Sequence, residues 1–89
     1  MLRVIFSSHA EQALAALPRE AQGRVVSALE RLATNPFWFS HVKKLGGSED
    51  RYRLRADRWR VLFILKGQEL GVADIFLKKG RGDYRKRLR

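Results

Sequence analysis

The chain has 89 residues, 45% of them hydrophobic, and no cysteine. That suits one domain (residues 1–89) with a modest core and excludes disulfides and thiolate metal sites. Nineteen Lys/Arg against nine Asp/Glu leave a formal charge of +10, set unevenly: residues 1–42 carry +1 and residues 43–89 carry +9. Such asymmetry is the footprint of a polyanionic partner, either nucleic acid or an acidic protein surface.

No apolar run reaches the ~20 residues of a membrane span, and the start MLRVIFSSHAEQ lacks the apolar core and cleavage site of a signal peptide. A soluble, cytoplasmic protein with no membrane contact is expected. His9 and His41 stand alone and far apart in the sequence, so neither a metal nor another cofactor is expected.

In chain order, Arg3–Ser7 reads as a first strand. Ser8-His9-Ala10-Glu11 matches a capping box, with the Ser8 hydroxyl accepting from the Glu11 backbone. Ala10, Ala13, Leu14 and Leu17 then follow at helical spacing. Pro18 breaks that helix and suits the first turn of another. In the second helix Ala21, Val25, Ala28, Leu29 and Leu32 repeat the period, and Asn35-Pro36 ends it. A helical hairpin results. Phe37-Trp38-Phe39 reads as a hydrophobic plug between hairpin and sheet, or as a surface for stacking bases. His41 to Gly47 reads as a basic loop with a sharp glycine turn, and His41 as an exposed loop residue, with a catalytic role as the alternative that lacks a visible partner.

The most informative stretch is Arg51–Leu65, RYRLRADRWRVLFIL. Tyr52, Leu54 and Ala56 alternate with Arg51, Arg53 and Arg55; past Asp57-Arg58, Trp59, Val61, Phe63 and Leu65 alternate with Arg60, Leu62 and Ile64. A period of two is that of a pleated strand, and antiparallel pairing of the two runs gathers their arginines on one face. Lys66-Gly67-Gln68-Glu69 is a hairpin turn into a third strand, Leu70–Leu77. Within it, Asp74 suggests a structural hydrogen bond or an edge position. Residues 78–89, KKGRGDYRKRLR, form a basic tail with Tyr84 among its cations. The fold class is α+β: an N-terminal strand, a helical hairpin, then a three-stranded antiparallel meander, with the helices on one face of the sheet.

This order, with KKLGG, RYRLRADRWRVLFIL and IFLKKGRGDY, resembles the RelE/ParE superfamily of bacterial toxins from type II toxin–antitoxin modules, over nearly the whole chain. The resemblance implies the RelE-like, microbial-RNase-like fold and a toxin neutralised by a cognate antitoxin, monomeric when free. RelE-like members are ribosome-dependent endoribonucleases that cut mRNA and inhibit translation; ParE-like members poison DNA gyrase. A non-enzymatic basic module that binds only antitoxin or operator DNA is a third reading.

Metal-independent RNA cleavage requires attack of a 2′-hydroxyl on the adjacent phosphate, giving a 2′,3′-cyclic phosphate. It needs a proton acceptor, cations at the phosphorane and an acid at the leaving oxygen. Carried over residue by residue, the resemblance places Arg53, Arg55, Arg60, Lys79, Arg81 and Tyr84 at the catalytic positions. Lys43, Lys44, Arg51, Arg58, Lys78 and Arg85 would hold RNA. Arginine stays protonated, so Arg53, Arg55 and Arg60 are assigned charge stabilisation or phosphate grip. Lys78 or Lys79 would supply the leaving-group proton and Tyr84 would orient the base. No residue is assigned as general base; ribosomal RNA or Tyr84 are the candidates.

Overall fold

The computed structural model describes residues 1–35, 41–47 and 50–78. The aromatic cluster Phe37-Trp38-Phe39 and the tail residues Lys79, Arg81, Tyr84 and Arg85 lie outside the described residues.

The chain starts with β1 (Arg3–Phe6) and passes directly into α1 (Ser8–Ala15). The cap of α1 is Ser7, whose Oγ accepts from the backbone N–H of Ala10 at 3.0 Å. This corrects the expected Ser8 box: of two adjacent serines, the first keeps extended dihedrals while Ser8 is already helical. Pro18 then caps α2 (Arg19–Thr34) from just outside its first turn. The helical period of α2 buries Ala21, Val25, Ala28, Leu29, Leu32 and Ala33.

Three further strands match the alternation, namely β3 (Arg51–Ala56), β4 (Trp59–Lys66) and β5 (Glu69–Leu77). A short strand precedes them in the presumed basic loop, β2 (Val42–Lys44), pairing antiparallel with β3. The sheet order is β1-β5-β4-β3-β2, with β1 parallel to β5 and the other pairs antiparallel. Two-residue turns join β3 to β4 and β4 to β5, each opening on a residue with φ of 60°, Asp57 and Gly67. Positive φ at the first turn position is what a tight hairpin between right-twisted strands requires.

Both helices pack on one face of the sheet. There Val25, Leu29 and Leu32 meet Leu54, Val61, Phe63, Leu70, Val72 and Ile75 in one core, with Tyr52 stacked on Phe63 at 5.6 Å. A bulge lies in β5: Leu62 opposes Asp74, but Phe63 opposes Val72. The extra residue, Ala73, lets Val72 and Ile75 both face the helices and turns Asp74 to the other side.

Asp74 is 5% exposed and lies past Val72, the last residue of β5 paired with β1, so the edge of β5 beside it is met by the start of α1 and not by a strand. Its carboxylate accepts from the Ile75 backbone at 2.8 Å and meets His9 Nε2 at 2.9 Å. The structural hydrogen bond is therefore present.

Candidate nucleic-acid interface

The face of the sheet away from the helices carries the strand arginines, and its layout follows from register. Arg55 lies directly opposite Arg60, Arg53 opposite Leu62, and Arg51 opposite Ile64. Arg60 in turn opposes Phe76, and Leu62 opposes Asp74. Leu62 and Phe76 are buried yet stand apart from the helix-facing core. Among the arginines of this face Arg53 and Arg60 are half-buried, while Arg51 and Arg55 are exposed.

The Arg55–Arg60 pair is the unusual feature. Like charges directly opposed on adjacent strands repel, and the two-residue turn at Asp57-Arg58 fixes them in that register. Arg60 partly offsets this by donating from Nη1 to the carbonyls of Asp57 and Trp59, at 2.8 and 3.0 Å. Those bonds hold the guanidinium against the turn. Its Nε is buried with no hydrogen-bond partner. A buried donor without an acceptor is costly, and an anionic oxygen is the ligand that would satisfy it.

Arg55 and Arg60 line one groove of about 830 Å³ at the hairpin end. Its other wall is the polar face of α2, with Glu20, Arg24, Ser27 and Arg31; Asp57 lines it from the turn, and His41 closes it beside Arg55. The His41 Nδ1 lies 3.4 Å from Arg55 Nη2. Arg24 bridges Glu20 at 2.9 Å and Asp57 at 3.3 Å, tying α2 to the turn. Its hydrogen bond to Glu20, followed by the charge of Asp57, raises the guanidinium further above its already high ordinary value.

The other candidate residues distribute as follows. Arg53 shares the face of Arg55 and Arg60 one row away, and Lys43, opposite Arg53, continues that row onto β2. Lys44 opposes Tyr52 and so belongs to the helix-facing side. Arg58 is exposed in the turn, and its carbonyl accepts from the Lys78 backbone at 3.3 Å, which brings Lys78 to the same end of the sheet. Arg51 lies at the opposite end of β3 from the groove. The sequence reading missed Arg24 and Arg31, and set a catalytic His41 second for want of a partner. The two helix arginines, seven apart on a polar face, look like any solvated helix surface, and His41 gains its neighbour only through the short β2–β3 pairing.

Among the described residues, no group of three or more His, Cys, Asp or Glu side chains is placed to hold a metal ion. No described helix is long and apolar enough to cross a membrane.

No protein-family model matches the sequence, and no curated protein does either. Solved structures do. Archaeal RelE, in a RelE–RelB complex from Pyrococcus horikoshii, superposes with a TM-score of 0.77 at 22% identity, covering 90% of this chain and 98% of that one. The isolated E. coli RelE toxin gives 0.76 at 16% identity over 99% and 96% of the two chains. The YoeB dimer from Staphylococcus aureus gives 0.71 at 15% identity over 90% and 98%. The chain has the fold of the RelE toxins.

Proposed function

We propose that this chain, built on the RelE fold, is the toxin of a type II toxin–antitoxin module and a ribosome-dependent endoribonuclease that cuts mRNA. The observation that carries the reading is the opposed Arg55–Arg60 pair, with the buried, unpartnered Arg60 Nε, in one groove with Arg24, Arg31 and His41. Two guanidiniums lining one groove suit a group whose charge grows during reaction, as the phosphorane's does. Arg53 and Lys43 in the next row would grip the neighbouring phosphate, and Lys78 at the hairpin end is the described candidate for leaving-group acid. Lys79, Arg81, Tyr84 and Arg85 keep their proposed roles as cations and stacking surface from the tail, with Arg51, Arg58 and Lys44 as outer RNA contacts.

Several of the similar structures are complexes of RelE with RelB, which supports a cognate antitoxin as partner. Its contacting segment would be acidic, matching the +9 carried by residues 43–89. The decisive experiment is induction in cells followed by primer extension on translated mRNA. New 5′ ends within ribosome-occupied codons are expected, and Arg60→Ala should abolish them. Growth arrest with intact mRNA and an induced DNA-damage response would instead place the target at gyrase.

A further inference from the structure

We infer that His41 is the proton acceptor of the cleavage step, a role that rests on the nuclease reading above. The chemistry needs a group that takes the 2′-hydroxyl proton, and the strand arginines are unsuited because guanidinium stays protonated. Register places His41 immediately before Val42, which opposes Leu54, so the imidazole comes beside Arg55. The resulting order is His41 just before β2, Arg55 on β3 and Arg60 on β4, and all three line the same groove. With strands about 4.8 Å apart, a phosphate held between the two guanidiniums lies next to the imidazole.

The 3.4 Å contact between Arg55 Nη2 and His41 Nδ1 sets the tautomer. Guanidinium can only donate, so Nδ1 is the acceptor and Nε2 carries the ring hydrogen; this assignment follows from donor chemistry, not from observed hydrogens. The lone pair that Arg55 engages in the free protein is the one a base requires. When the phosphate takes the guanidinium, Nδ1 is released beside the ribose. Substrate binding and exposure of the base are then one event.

In the step itself, Nδ1 accepts the proton of the 2′-hydroxyl as the 2′ oxygen bonds to phosphorus. The bond from phosphorus to the 5′ oxygen breaks, its electron pair staying on that oxygen, which takes the proton of the Lys78 ammonium. The imidazolium then returns its proton, through solvent, to the amine left behind. The products are a 2′,3′-cyclic phosphate and a 5′-hydroxyl, with no net consumption of water. His9, the other imidazole, stands across the sheet and is engaged by Asp74.

The test is single-turnover cleavage of mRNA in a reconstituted translation reaction, comparing the wild type with His41→Ala and His41→Gln. Both variants should lose about 10²–10⁴-fold in rate while binding programmed ribosomes as the wild type does. Free imidazole should restore cleavage to His41→Ala, for which the open groove leaves room. If His41→Gln cleaves at the wild-type rate, or if imidazole rescues nothing while the variant stays folded and bound, the assignment is overturned and the nuclease reading stands. If the wild type itself leaves mRNA intact, both fall together.

Discussion

At the scale of single residues, function and stability pull against each other where Arg55 opposes Arg60. Removing one charge relieves a like-charge contact worth a few tenths of a kcal/mol to about 1 kcal/mol. Arg55→Gln should therefore melt no lower than the wild type, yet cleave mRNA about 10²-fold more slowly for loss of a phosphate ligand. A coincident drop in melting temperature and activity would make Arg55 structural instead. Asp57 gives a separate test, because its φ of 60° belongs to the region where L-residues with a β-carbon are strained. Asp57→Gly and Asp57→Ala both delete the ion pair with Arg24, so their difference isolates the backbone. The alanine variant should be about 1–2 kcal/mol less stable than the glycine variant by chemical denaturation.

Among elements, the cap of α1 makes a prediction that distinguishes two neighbours. Ser7→Ala removes the oxygen that accepts from Ala10 and should cost about 1 kcal/mol. Ser8→Ala, one residue later and inside the helix, should cost close to nothing or stabilise slightly. The sequence carried this ambiguity because both serines satisfy the same spacing rule to within one residue. It was clear about α2 and the β3–β4 pair, since sixteen and fourteen residues with unbroken periods of 3.6 and two admit one reading. It was silent about β2, where three residues, two of them lysines, carry no period. The parallel docking of β1 on β5 and the bulge at Ala73 are settled between elements far apart in the chain. The site followed the same division. Arg55 and Arg60 were legible because a two-residue turn dictates their register, whereas Arg24, Arg31 and His41 reach the groove only through tertiary packing.

Over the whole molecule, charge is partitioned by position in the fold. The +9 of residues 43–89 is carried on β2 to β5 and the residues after them, while the exposed cation at the far edge, Arg3 on β1, is paired with Glu69 at 2.6 Å. A polyanion binding this surface should displace counterions in proportion to the phosphates that the groove contacts. For single-stranded RNA the logarithm of affinity then falls against the logarithm of salt with a slope of about −0.7 per contact. The double variant Arg55→Gln/Arg60→Gln should make that slope shallower by about 1.4, two contacts' worth. Arg3→Gln changes the net charge by one at the far edge of the sheet and should leave the slope where it was. Isothermal titration across a salt series reads both. Equal loss of slope in the two variants would mean that net charge alone draws the RNA, and that the arginine-lined end of the sheet has no privileged part in binding it.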